Sequence, residues 1–139
     1  PLPFKLVGAP WMDAEKTAAA LNDKNIPGVY FQPMFFKPYY SRYSGEMCKG
    51  VRIVITDQEK IKPVEVDYHI IAALRDMYPK NFSFELEKVK PRIRMFDLAN
   101  GTDKIRKMFN KGISAEKIID SYQEELEAFK KVRKKYLIY

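Results

Sequence analysis

The amino-acid sequence predicts an α+β fold, a small mixed or antiparallel sheet covered by helices, with a long amphipathic helix at the C-terminus. Three observations predict it. Residues Val51, Ile53 and Ile55 alternate with Arg52, Val54 and Thr56, the period-two pattern of a partly buried strand. The segment from Val29 to Phe36 is aromatic and apolar, which suits a second strand. Helical-period stripes flank both segments, but they do not form regular strand-helix-strand units. The 139 residues, 46% hydrophobic and 14% aromatic, are expected to form one domain, residues 1–139. A chain of that size can bury about two-thirds of its unfolded surface without disulfides or metals.

Taken in order, Phe4 to Val7 is a short apolar strand candidate that leads into Gly8, Ala9, Pro10 and Trp11. Pro10 biases Ala9 away from helical backbone angles, so this stretch is a turn leaving the strand. Asp13 can cap a helix from Ala14 to Asp23, with Glu15 in the favourable first turn. Asn25, Pro27 and Gly28 end that helix and lead into Val29. Pro33 cannot donate to a ladder, which places its strand at a sheet edge or bulge. From Lys37 to Lys49 the chain has no regular pattern and carries Pro38, Tyr39, Tyr40, Arg42, Tyr43, Gly45, Glu46 and Cys48. A loop this long is more often functional than decorative, so a binding surface is expected here.

After Asp57 and Pro63, Val66, Ile70, Leu74 and Met77 recur at helical spacing from Val64 to Tyr78, and Pro79 stops the helix. Phe82 to Val89 alternates Phe82, Phe84 and Leu86 with Ser83, Glu85 and Glu87, as in a strand wet on one face. Pro91 interrupts it, and Arg92 to Leu98 is a weaker strand candidate. Thr102 or Asp103 caps a short helix to about Lys111, closed by Gly112. Ser114 caps the last helix, on which Ile118, Tyr122, Leu126, Phe129 and Val132 form one apolar stripe. The final Tyr136, Leu137, Ile138 and Tyr139 are apolar enough to be expected to pack on the domain.

Several function classes lose support at once. The formal net charge is +7, but Lys130, Lys131, Arg133, Lys134 and Lys135 cluster where they complement the last helix dipole, so a solvated helix face is favoured and no nucleic-acid partner is expected. Cys48 is the single cysteine and His69 the single histidine, which excludes an internal disulfide and a cysteine- or histidine-rich metal site. No GxxxxGK or GxGxxG phosphate-binding sequence is present. No metal or other cofactor is expected. No apolar run approaches the roughly 20 residues of a membrane span, and no signal peptide opens the chain. The first residue is Pro1 rather than Met, so a fragment of a longer protein is expected.

Glycoside hydrolysis usually needs two carboxyl groups roughly 5 to 9.5 Å apart. Glu46 lies in the aromatic loop, and Asp57 and Asp97 end predicted strands, but spacing pairs none with another. Each is assigned the bland role of a loop carboxylate bonded to backbone or lysine, and no catalytic residue is assigned. A nucleophilic Cys48 would need His69 as its base. A small buried hydrophobe suits Cys48 better, and a partly exposed helical position suits His69. Sugar rings present C–H faces that stack on aromatic planes, while hydroxyls meet Tyr, Arg and Glu groups. Aromatic residues also fill cores. Phe35 and Phe36 are assigned to the core; for Trp11, Tyr39, Tyr40 and Tyr43 the two roles are balanced. Arg42 could hold a carboxylate bidentately or be a surface cation. The candidate substrate-binding set is Trp11, Tyr39, Tyr40, Arg42, Tyr43 and Glu46.

The segments FKLVGAPWMDAEKTAAALN, IPGVYFQPMFF, SGEMCKGVRIVITD, DLANGTDKIRKMF and SYQEELEAFKKVRKKYLIY, in this order, resemble the C-terminal domain of the exo-β-N-acetylmuramidase family of bacterial peptidoglycan recycling. The likeness spans nearly the whole chain. It rests on GAPW, on CxGVxIxVTD with Ile55 in place of the usual valine, and on an RxxYLxY tail matched by Arg133, Tyr136, Leu137 and Tyr139. The resemblance implies removal of N-acetylmuramic acid from the non-reducing end of cell-wall fragments. It also implies an N-terminal Rossmann-like domain, carrying the catalytic glutamate, packed against this one with the sugar cleft between them. That domain would be a partner within the same protein, with a muramic-acid-containing saccharide as ligand and a secreted or periplasmic location. The sequence starts where the second domain starts, so no muramidase activity is expected from this chain alone. Gly8, Pro10, Trp11, Cys48 and Gly50 match motif positions whose roles are structural. A second reading stands beside this one: a non-catalytic interaction module that uses the same surface on a protein partner.

Overall fold

A computed structural model describes residues 4–40, 42–82, 84 and 90–137. The chain forms two compact units, Pro1–Ser83 and Phe84–Tyr139.

In the first unit the elements run β1 (Leu6–Ala9), α1 (Ala14–Asn22), β2 (Val29–Phe36), β3 (Cys48–Ile55) and α2 (Pro63–Met77). The strands pair in the order β1-β3-β2 and both pairings are antiparallel. The register sets Val51 opposite Val7 and Pro33, and Ile53 opposite Phe31. Strand pleating then turns Val51, Ile53 and Phe31 to one face, where Leu21 of α1 and Val66, Ile70 and Leu74 of α2 cover them. Val51 and Leu21 are fully buried. Each such side chain contributes roughly 1.5–3 kcal/mol of apolar burial, which is what orders the helices on this face.

The position of β2 at an edge explains why Pro33 is tolerated there. The same edge leaves the backbone of Phe31 facing away from β3, and Asn22 satisfies it: its side-chain amide donates to the Phe31 carbonyl at 2.9 Å and its oxygen accepts the Phe31 N–H at 2.9 Å. Gly28, with φ +75°, makes the turn into β2 close against the Asp57 carbonyl. Three local expectations are corrected. Phe4 lies outside the first strand and is 99% exposed. Phe35 is exposed rather than core, because it sits opposite Lys49 near the end of the ladder. Phe36 is partly buried, with its ring lying over Gly8.

The second unit contains α3 (Lys90–Asn100), α4 (Lys104–Asn110), α5 (Ala115–Asp120) and α6 (Gln123–Arg133). Arg92 to Leu98 is therefore helix, not strand. Pro91 falls in the first turn of α3, where its missing N–H costs no bond, so it starts the helix instead of interrupting a strand. The expected strand from Phe82 to Val89 lies mostly outside the described residues. A bidentate ion pair joins α3 to α4, with Arg106 Nε and Nη2 each 2.9 Å from an oxygen of Asp97. Phe96, Phe109 and Phe84 form an aromatic cluster with ring centroids 4.8–6.5 Å apart.

The C-terminal helical segment is bent. Ser121 donates its hydroxyl to the Ile118 carbonyl at 2.7 Å, competing with the helical ladder, and α5 ends there before α6 begins. Of the predicted apolar stripe only Ile118 is buried, and α6 buries no residue. Contrary to expectation, Tyr136 and Leu137 are exposed; Ile138 and Tyr139 lie outside the described residues. No helix among the described residues is long and apolar enough to cross a membrane.

Candidate functional site

The loop between β2 and β3 is closed by its own backbone. Gly45 N–H donates to the Pro38 carbonyl at 2.9 Å, Glu46 N–H to the Tyr43 carbonyl at 3.0 Å, and the Ser44 hydroxyl to the Tyr39 carbonyl at 2.7 Å. Tyr43 adopts a φ of +64°, a conformation that costs a residue with a side chain about 1–2 kcal/mol. What holds it is Trp11, whose indole N–H donates to the Tyr43 hydroxyl at 3.2 Å. The Arg42 guanidinium lies 5.2 Å from the centre of the Tyr43 ring, within cation–π range.

Trp11 is itself fixed from below. Its ring meets that of Tyr78 at 5.2 Å and 60°. The Asp13 N–H donates to the Tyr78 hydroxyl at 2.9 Å, and the Thr17 hydroxyl donates to the Asp13 carbonyl at 2.6 Å. Thr17 thus has its proton committed and accepts from the Tyr78 hydroxyl at 2.8 Å. This closed circuit satisfies Thr17, which is fully buried. The turn at Pro10 and Trp11 that leaves β1 and the start of α1 therefore form a rigid seat, and the loop stands on it.

Three of the six candidate residues, Trp11, Arg42 and Tyr43, are brought into one contact series. Tyr39 and Tyr40 extend from the same loop and are 94% and 79% exposed. Glu46 is exposed, and only its backbone joins the loop bonding. Sequence reasoning missed Tyr78, the foundation of the series. Its only signal was an aromatic residue at a helix end, and its partners Thr17 and Asp13 lie 61 and 65 positions away.

The other acids behave as structural groups. The Lys60 ammonium and the Glu59 N–H hold Asp57 below the usual carboxylate range. Asp97 is paired with Arg106. Cys48 is fully buried, and desolvation, helped by the Glu46 charge, pushes its thiol up, away from the nucleophilic thiolate form. A separate cavity of about 450 Å³ lies where β1, β3 and α2 meet, lined by Phe4, Leu6, Ile53, Ile55, Ile61 and Val66. Asp67 borders it, and desolvation pushes its carboxyl up. That mostly apolar lining suits a polar sugar less well than the tyrosine loop does.

Comparison with known proteins adds to this geometry. A family model described as exo-beta-N-acetylmuramidase NamZ, C-terminal, matches residues 1–139. Over 137 residues, 99% of the chain, the sequence is 37% identical to the peptidoglycan beta-N-acetylmuramidase NamZ of Bacillus subtilis, of which it covers 32%. The crystal structure of a DUF1343 family protein from Bacteroides fragilis matches all of the chain with a TM-score of 0.92 at 33% identity, and 36% of that protein is covered. The chain spans about a third of the length of each.

Proposed function

The chain belongs to the family of NamZ C-terminal domains, and from that premise we propose that it forms one wall of the sugar cleft of a peptidoglycan-processing exo-β-N-acetylmuramidase. It helps to bind a terminal N-acetylmuramic acid. The observation that supports this reading is the series Trp11, Tyr43 and Arg42 on a rigid seat, with Tyr39 and Tyr40 exposed beside it. Exposed aromatic planes suit the C–H faces of a pyranose ring, and tyrosine hydroxyls suit its polar edge. Muramic acid also carries a carboxylate, which the planar fork of Arg42 can take bidentately while its face stays on Tyr43. The carboxylates that break the glycosidic bond belong to the remaining two-thirds of the protein.

The test is kinetic. In the full-length protein, replacing Tyr39, Tyr40 or Arg42 singly by alanine should leave the fold intact, because these side chains are exposed. Each aromatic contact is worth about 0.5–1.5 kcal/mol, so KM for a muramic-acid-terminated fragment should rise about 2- to 10-fold per tyrosine. If all three variants keep the parent KM and saccharide affinity, the loop is not the sugar wall.

A further inference from the structure

We infer that Arg52, with Gln32 beside it, is a binding site for a single carboxylate on the sheet face turned away from α1 and α2. Strand pleating sends Val51 and Ile53 toward the helices and Arg52 to the opposite face. The register sets Arg52 across from Leu6 on one side and Gln32 on the other, with Tyr30 one pleat further along β2. Cross-strand neighbours on one face stand about 4.5–5.5 Å apart at Cβ, so the Gln32 amide is within reach of whatever the guanidinium holds. Arg52 lies four residues into β3 from Cys48, roughly 13 Å along the strand from the tyrosine loop, and this site does not depend on the sugar-wall reading.

Arg52 is the exception among the partly buried arginines described. The side chains of Arg75 and Arg106 are each 19% exposed, and each guanidinium is held by a carboxylate, Asp76 at 2.6 Å and Asp97 at 2.9 Å. Arg52 is also partly buried, yet its Nε is shut off from solvent without a hydrogen-bond partner. A charged donor taken out of water and left unpaired is disfavoured, and folded proteins hold few of them unless a ligand or ion completes them. The surroundings decide which ligand. Arg52 is the only charged residue that the three strands place on this face. One positive charge matches a monoanion, and Nε–H with a neighbouring Nη–H makes the planar two-donor edge that a carboxylate takes bidentately. A doubly charged phosphate would stay half neutralised. Leu6, partly buried, and Tyr30, 50% exposed, supply apolar flanks, so the ligand is a carboxylic acid with a compact uncharged body. Its carboxylate comes from an acidic sugar or from the end of a short peptide.

The test reads the Arg52 Nε–H directly, by proton–nitrogen NMR of the full-length protein made with isotope-labelled arginine, the signal being assigned by its loss in Arg52→Gln. N-acetylalanine and N-acetylmuramic acid are the probes. We expect saturable movement of the Arg52 signal with at least one of them, and the tighter one names the source, peptide or sugar. N-acetylglucosamine, which lacks the carboxylate, should move the signal at least tenfold less at the same concentration. Gln32→Ala, at an exposed position, should weaken the titration about 10-fold, the loss of one hydrogen bond to a charged group. An unmoved signal with both acids overturns the inference. So does equal movement with the neutral sugar, an equal response to inorganic phosphate, which means general attraction of anions, or an unaltered titration in Gln32→Ala. Arg42→Ala removes the cation of the tyrosine loop and should leave the Arg52 response in place, so this inference and the sugar-wall reading can fail separately.

Discussion

A Cβ at position 50 would lie 2.0 Å from the Val7 carbonyl oxygen and 2.5 Å from the Gly8 Cα, a gap that only glycine leaves open between β1 and β3. Backbone, not a flexible side-chain end, is what the new atom would meet. Gly50→Ala is therefore expected to cost about 1–3 kcal/mol or more, read as a lowered urea midpoint; an unchanged midpoint would mean that the strands can part freely. Tyr78→Phe acts differently. It keeps the ring against Trp11 but removes the acceptor of the Asp13 N–H and the donor to buried Thr17. Leaving the Asp13 N–H without its acceptor costs about 1–3 kcal/mol in the same measurement, while Thr17 keeps its bond to the Asp13 carbonyl. The sequence motif already marked Gly8, Gly50 and Cys48 as structural, because their constraint is local to the ladder. Tyr78 was illegible because its hydrogen-bond partners are remote in sequence, and Phe35 because period two assigns a face without saying where the covering helices stop.

Helix starts show both the strength and the limit of sequence reasoning. Asp13 caps α1 as its position predicts, accepting the Lys16 N–H at 3.0 Å. That backbone bond, aided by the Lys16 charge, lowers its pKa from the ordinary 3.8. A depressed carboxylate contributes stability that is present above its unfolded pKa and lost as pH falls through its folded one. Asp57, held by Lys60, and Asp103, held by Lys107, shift in the same direction. The urea midpoint should therefore fall on acidification below about pH 4, and Asp13→Asn, which can still cap but does not ionise, should flatten part of that fall. Equal slopes for parent and variant would remove Asp13 from the account. The bland signals misled: Pro91 looked like a strand breaker and proved to open α3, and Ser121 looked like one more helical residue and proved to end α5.

At the scale of the molecule, the α+β class, the antiparallel sheet and the covering helices were all legible, since apolar periodicity records which faces are buried. How unevenly that burial is shared was not. The first unit has a buried cluster of 11 residues centred on β3, from Ala9 to Leu74. In the second the buried apolar residues described are Ile105, Phe109, Ala115 and Ile118, and α6 adds none. Opening free energy follows buried apolar contact, so amide exchange on this chain should be graded. We expect the β3 amides to exchange slowest, at the rate of global unfolding, those of α4 and α5 faster, and those of α6 fastest. Uniform protection along the 139-residue chain would show that its stability is shared evenly despite the uneven cores, and that α6 is held by something other than an apolar face.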